Sequence, residues 1–236
     1  MIDLHSHILP GMDDGSANVQ ESLWLLEALA GQGVNLVAAT SHFYAMREYP
    51  EEFLHRREQS VARLAPFLNS SHPALRLGAE VYYFEGISRA PGLEQLCIEG
   101  TPLFLLEMPY GAWNERMVDE VLELCQNRGL SVVLAHIDRY FAHQPKRMWD
   151  MLEQGGVLFQ VNAQPFLRWF GSGRVLRFVQ EGKVHFLGSD CHNKTNRPPC
   201  LAQARARIAR KLGQETLCQL DNMQDKWFFH SEEPVR

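Results

Sequence analysis

The chain has 236 residues, 45% hydrophobic and 22% charged, with a formal net charge of -5. That balance supplies a substantial core and excludes a disordered or fibrous chain, while the 23 Lys and Arg are scattered and form no basic stripe for a nucleic-acid groove. No apolar run is long enough to cross a membrane, no leader-like N-terminus is visible, and five cysteines without a Cys-x-x-Cys pair argue against a disulfide framework and a thiolate zinc site. The expectation is a cytoplasmic protein with reduced thiols, no nucleic-acid partner and no membrane insertion.

In chain order, a β-prone start over 2–5 is followed by a helix that Asn18 caps with Glu21 three residues on. Val19, Leu23, Leu26 and Ala30 recur on one face of that helix, and Gly31 or Gly33 ends it. Further strands are expected over 35–40, 75–79, 103–107, 131–136, 157–161 and 184–189, most of them near-continuous apolar runs of the kind buried on both faces of a parallel sheet. Helical patterns lie between them. They cover 50–68, a segment opened by Asn114 and closed by Gly129, then 145–154, 172–181 and 200–220; only the crossover 82–102 is poorly helical. The tail turns polar after Trp227-Phe228-Phe229, where it either packs on the sheet or mediates assembly. Seven strands in a βαβ rhythm without a linker predict one α/β domain over 1–236, a closed or nearly closed β/α barrel, with an open doubly wound sheet as the alternative.

Metal-capable side chains recur where these strands end. On one strand, His5 and His7 are two residues apart, so both point the same way, about 6–7 Å apart. His42 follows the second strand, Glu80 the third, Glu107 closes the fourth, His136 the fifth, and Asp190 and His192 follow the seventh. In a parallel barrel these ends share one face, the face where active sites are built. A single carboxylate or histidine after a strand is usually a cap or a solvated loop residue; the placement of almost all of them on strand ends favours a site. Glu107, in the apolar run Leu103-Phe104-Leu105-Leu106-Glu107-Met108, reads as a buried charge that a cation would compensate. His55, His72, His143, His185 and His230 lack this placement and read as ordinary histidines.

These residues resemble a known family. Asp3-Leu4-His5-Ser6-His7, Met12-Asp13-Asp14-Gly15, Thr40-Ser41-His42, Gly78-Ala79-Glu80, Leu106-Glu107-Met108-Pro109, Ala135-His136-Ile137-Asp138-Arg139-Tyr140 and Gly188-Ser189-Asp190-Cys191-His192-Asn193 look like the polymerase and histidinol phosphatase (PHP) superfamily. Within it, the match is to the bacterial metal-dependent protein-tyrosine phosphatases of capsule and exopolysaccharide synthesis, and it spans 1–199. The resemblance implies a distorted seven-stranded β/α barrel of PHP type holding three divalent metals. His5, His7, Glu80 and Asp190 would hold the first, with Glu80 bridging to a second held by Glu107 and His136; Asp14, His42 and His192 would hold the third, with Asp13 as an alternative to Asp14. Nitrogen and oxygen donors suit manganese, the first expectation, as well as iron, magnesium or zinc. Arg139 and Arg197 match arginines of the family's substrate site and suit bidentate phosphate binding. A hydroxide bridging two metals would attack phosphorus.

The implied substrate is a phosphotyrosine protein, specifically a membrane-associated bacterial tyrosine kinase that controls polysaccharide export, and an oligomer is compatible with the sequence. Three other readings compete: another phosphoesterase of the same metals, such as a histidinol phosphatase, a metal-binding regulatory module without turnover, and a thiol phosphatase. The last rests on Cys191 and Arg197, which fit the spacing Cys-x5-Arg. The segment between them has no glycine to form a phosphate cradle and runs into Pro198-Pro199, which speaks against it.

Overall fold

The computed structural model describes residues 1–168 and 171–229. Among them the strands are β1 (Ile2–Ser6), β2 (Leu36–Ala39), β3 (His42–Phe43), β4 (Ala74–Leu77), β5 (Glu80–Tyr82), β6 (Leu103–Glu107), β7 (Ser131–Leu134), β8 (Leu158–Asn162) and β9 (Phe186–Gly188). All pair in parallel, in a three-stranded group β1-β2-β4 and a six-stranded group β3-β5-β6-β7-β8-β9. The result is an α/β fold with a curled parallel sheet. Nine segments stand where the sequence led to seven because the expected runs 35–40 and 75–79 are each followed, after a break at Thr40-Ser41 and at Gly78-Ala79, by a further short strand, β3 and β5. The interruptions separate the groups that pair with β1 from those that pair with β6, and they put His42 and Glu80 at the start of new pairings, directly opposite each other.

Helices α1 (Val19–Gly31), α2 (Pro50–Leu64), α3 (Glu115–Arg128), α4 (Lys146–Gln154), α5 (Gln164–Leu167), α6 (Ser172–Gln180), α7 (Leu201–Leu212) and α8 (Gln214–Phe229) fill most of the connections. Their ends follow the local chemistry. Asn18 Oδ1 accepts the Glu21 amide at 3.0 Å while Glu21 Oε2 accepts the Ala17 amide, Asn114 Oδ1 accepts the Met117 amide at 2.9 Å, and Gly129 closes α3 at φ 65°. The expected 200–220 helix is divided by Gly213, and the 82–102 crossover holds only short 3₁₀ turns.

Alternation sorts the strand side chains into two cores. Ile2 and Leu4, Leu36 and Ala38, Leu103 and Leu105, and Val133 and Ala135 form an inner cluster, while Val37, Phe104, Leu106, Val132 and Leu134 belong to the larger core under the helices. The C-terminal helix covers the inner cluster: Phe228 belongs to it, and the Trp227 ring lies 6.5 Å from Phe186, the first residue of β9. The tail therefore packs on the sheet through Trp227 and Phe228, whereas 230–236, including His230, lie outside the described residues. No described helix is long and apolar enough to cross a membrane.

A seam joins β1 to the chain after β9. Ser6 bridges Cys191, the Asp190 amide donates to His5 O at 2.7 Å, the His7 amide donates to Cys191 O at 3.0 Å, and buried Asp3 Oδ1 accepts the Ser189 amide at 2.7 Å. This places His5 and His7 against Asp190 and His192. Because Phe228 plugs the opposite end, Phe228→Ala should cost about 3 kcal/mol of stability and lower the thermal midpoint, with bound metal per folded molecule unchanged. Unfolding scans alongside metal analysis check both.

Candidate metal centre

All nine of the expected ligand residues meet at one end of the sheet. His5 Nε2 and His7 Nε2 lie 3.1 Å apart, each 3.2 Å from Glu80 Oε2 and 3.6 and 3.5 Å from Asp190 Oδ1. The other Glu80 oxygen is 2.9 Å from His136 Nε2, which is 3.4 Å from Glu107 Oε1. Asp14 Oδ1 lies 3.6 Å from His42 Nε2 and 3.4 Å from His192 Nε2. Glu80 is the hub. Three sets of donors, His5/His7/Asp190, His42/Glu80/Glu107 and His7/Asp14/His42/His192, each fall within 4.8 Å of one another. Glu107, read from sequence as buried, stands at the rim with its side chain 15% exposed.

Hydrogen bonds behind the candidate ligands fix most of the rings. His7 Nδ1 donates to Asp13 Oδ2 at 2.8 Å, His5 Nδ1 donates to Gln160 Oε1 at 3.3 Å, and His192 Nδ1 donates to Asp190 O at 3.0 Å. The Tyr140 hydroxyl donates to Met108 O and accepts from His136 Nδ1 at 3.3 Å. In each case Nε2 is left facing inward, the arrangement that orients metal-ligating imidazoles. Asp13 and Asp14 are thereby told apart: Asp13 accepts from His7, from the His42 amide at 2.8 Å and from the Gly15 amide at 2.9 Å, whereas Asp14 turns a free carboxylate toward the histidines. Burial by itself would raise the Asp13 pKa, but His7 and the two amides hold it well below the usual carboxylate range.

Gln160 and Asn162 escaped the sequence reading. Gln160 Oε1 accepts the His136 amide at 2.6 Å, its Nε2 donates to Asn162 Oδ1 at 3.0 Å, and Asn162 Nδ2 donates to Asp190 Oδ2 at 2.7 Å. For Gln160 a signal was present: an amide inside the apolar strand at 157–161 costs free energy unless partnered.

The donor set fits divalent cations on its own geometry. Glu80 Oε2 and His42 Nδ1 are buried and approach to 3.0 Å, yet neither forms a hydrogen bond. Lone pairs of a carboxylate and several imidazoles crowded into a buried space repel unless a positive charge stands among them. Protons answer the same demand. Although burial lowers the His136 pKa, its contacts with Glu107 and Glu80 carry it up to about 9, and the histidines around Glu80 hold that carboxyl well below its ordinary range despite complete burial.

Among the described residues, the non-glycine residues in the left-handed region are His136 at φ 34° and Asp190 at φ 51°, both members of the cluster. The approach of β1 to β9 is as tight: a Cβ at Gly188 would fall 2.6 Å from His5 Cβ and 2.6 Å from Gln160 Nε2.

Arg139 and Arg197 both reach Asp190 Oδ2, at 2.7 and 2.5 Å. Arg197 Nη1 also donates to His192 Nε2 at 2.7 Å. Their side chains are about one-third exposed, 38% and 36%, and they line a groove of about 430 Å³. A second groove of about 810 Å³ opens beside Asp14 and His42.

Cys191 is fully buried in the core, and burial pushes its thiol pKa far up. The following loop does not cradle an anion, because the Thr195, Asn196 and Arg197 amides donate to Asn193 Oδ1 and the His192 amide donates to Arg197 O. The Cys-x5-Arg spacing thus lacks both a thiolate and a ring of free amides. His55, His72, His143 and His185 stay outside the cluster; His185 Nδ1, for example, accepts the Phe159 amide.

Over residues 1–225 the sequence matches the family described as "Capsular polysaccharide synthesis, CpsB/CapC". The chain belongs to the CpsB/CapC family. It is 33% identical over 233 residues to the tyrosine-protein phosphatase CpsB of Streptococcus agalactiae, covering 93% of this chain and 94% of that one. To the tyrosine-protein phosphatase YwqE of Bacillus subtilis it is 27% identical over 222 residues, covering 91% and 86%. Its fold superposes with a TM-score of 0.80 and 23% identity, over 96% of this chain and 94% of the other, on a solved structure from work on YwqE and the CpsB of Streptococcus pneumoniae, described there as unique metal-dependent tyrosine phosphatases. The PHP-type resemblance read from the motifs and the family match agree.

In this CpsB/CapC chain the closeness of Gly188 to His5 has a measurable consequence. Gly188→Ala should cost about 1–3 kcal/mol through overpacking and reduce bound divalent metal, as read by thermal unfolding and elemental analysis of the purified variant.

Proposed function

We propose that this chain is a metal-dependent protein-tyrosine phosphatase of capsular and exopolysaccharide synthesis. The observation that carries the reading is the convergence of nine nitrogen and oxygen donors on Glu80, in a chain one-third identical to a tyrosine-protein phosphatase over nearly its full length. In this reading 1–236 is one β/α barrel domain with seven strand positions, β2 continuing into β3 and β4 into β5. His5, His7, Glu80 and Asp190 hold one divalent ion, Glu80, Glu107 and His136 a second, and Asp14, His42 and His192 a third, with manganese the first candidate and iron, magnesium or zinc the others. When bound, such ions supply Lewis acidity and a water ionised at neutral pH.

The protein's own groups do the rest. Arg139 and Arg197 sit at the open edge, where their forked donors reach phosphoryl oxygens and offset the charge that builds in the in-line transition state. Bound phosphate would draw both guanidinium groups off Asp190, freeing that carboxylate for its ligand role. Asp13, Gln160 and Tyr140 fix the rings that would hold the ions, and small misplacements of those rings would be costly to the reaction. A phenol leaves with a pKa near 10, so no dedicated general acid is assigned. The proposed physiological substrate is phosphotyrosine on a membrane-associated bacterial tyrosine kinase, met in the cytoplasm.

A phosphatase panel with metal analysis tests the reading. Phosphotyrosine peptide should be hydrolysed well ahead of phosphoserine peptide and histidinol phosphate, and Glu80→Ala should lose metal and nearly all turnover while remaining folded. Comparable rates on phosphotyrosine and phosphoserine, a faster rate on histidinol phosphate, or an active Glu80→Ala protein would overturn it.

The nucleophile is tested separately. Cys191→Ser should retain activity within about ten-fold, whereas loss of a true nucleophile costs several orders of magnitude. Chelation should abolish wild-type activity, and a divalent ion should restore it. A dead Cys191→Ser protein with full metal, together with chelator-resistant wild type, would return the mechanism to the thiol.

A further inference from the structure

The two grooves at the metal face have no lining residue in common. One adjoins Asp14 and His42 and is walled by Tyr44, whose ring stacks on His42 at 5.2 Å and lies beneath the Arg47 guanidinium at 4.5 Å. The other adjoins Arg139 and Asp190 and is walled by Pro165, Leu167 and Pro198, with Arg168 on its rim. His192, 3.4 Å from Asp14 and 3.6 Å from Asp190, stands between them.

The rim arginines differ from the others in the grooves. Arg56 is forked onto Glu48, and Arg139 and Arg197 reach Asp190. Among the described residues Arg47 and Arg168 form no salt bridge: Arg47 only caps the Tyr44 ring, and Arg168 Nε donates to the neutral Gln164 Oε1 at 3.2 Å. Both are exposed. On a chain of net charge -5, one cation without a salt bridge thus lines each groove; in the first it shares the wall with Asp13 and Asp14 at the histidines, with Glu48 held by Arg56, and with Glu52, which accepts the Tyr49 amide. A small phosphomonoester would fill the centre and leave both grooves to water.

Resting on the phosphatase reading, we propose that the grooves are two halves of one substrate track. A polypeptide lies across the metal face with its phosphotyrosine over the cluster, and acidic side chains on both flanks pair with Arg47 on one side and Arg168 on the other. Exposed pairs of this kind act mainly through encounter and are weakened by salt.

The test uses full-length, metal-loaded protein and three phosphotyrosine peptides that differ only in flanking residues: glutamate on both sides, alanine, or lysine. Wild type should give kcat/KM in the order glutamate, alanine, lysine, with the gradient flattening in high salt. Arg47→Glu and Arg168→Glu should each lower kcat/KM on the glutamate peptide by roughly five-fold through KM, and each should raise it on the lysine peptide. Peptides acidic on one flank only should respond to one reversal and not the other. Equal rates on all three peptides would overturn the track while leaving the phosphatase reading intact, and so would sensitivity to a single flank. A reversal that lowers kcat on every peptide alike, or strips metal, would mark a structural role and also overturn it. If wild type hydrolyses no phosphotyrosine peptide, both readings fall.

Discussion

A buried carboxylate that four rings share governs this structure. Glu80, 1% exposed, has His5, His7 and His42 crowded on one oxygen and His136 on the other. Such a group is tolerable only with positive charge beside it. Protons supply that charge in part, but Glu80 Oε2 and His42 Nδ1 meet at 3.0 Å without a hydrogen bond. Multivalent cations would satisfy these donors together. The breaks in the sheet, the left-handed backbone at His136 and Asp190 and the glycine at position 188 can all be understood as what it takes to bring these donors together.

The two ends of the sheet divide the labour. At the strand starts, apolar side chains and the Trp227-Phe228 plug bury surface and stabilise the fold. At the strand ends, polar groups replace them, and the strain accumulates there, where packing elsewhere can sustain it. The seam between β1 and β9 couples the ends: Asp3, within an otherwise apolar strand, accepts the Ser189 amide, and burial raises its pKa to about 6. That seam seats Asp190 over the His5-His7 pair.

The loop from Asp190 to Arg197 illustrates how one short sequence pattern can suit two chemistries. Its spacing allows a thiol mechanism, yet Asn193 takes up three of its amides and Cys191 faces the core. The same loop turns His192 toward Asp14 and Arg197 toward the open groove. What separates the two mechanisms is the direction of amides and side chains.

Sequence by itself determined the parts whose physics is local or periodic. The His5-x-His7 pair shares a face because strand alternation has a period of two, Asn18 and Asn114 cap helices because their side chains reach amides three residues on, and apolar runs mark strands buried on both faces. The meeting of the candidate ligands follows from a parallel sheet, whose strand ends lie on one face. Tertiary structure alone decided the rest. Asp13 and Asp14 are neighbours in sequence, and only the approach of His7 and the His42 amide commits one to orienting a ring and leaves the other free. Gln160 and Asn162 acquire their roles from His136 and Asp190, 24 and 28 residues away. The interruption of two strands depends on pairing with different neighbours, and the rim position of Glu107 depends on where β6 ends against β5. These are contacts between distant segments, and no local propensity or period encodes which distant group will arrive.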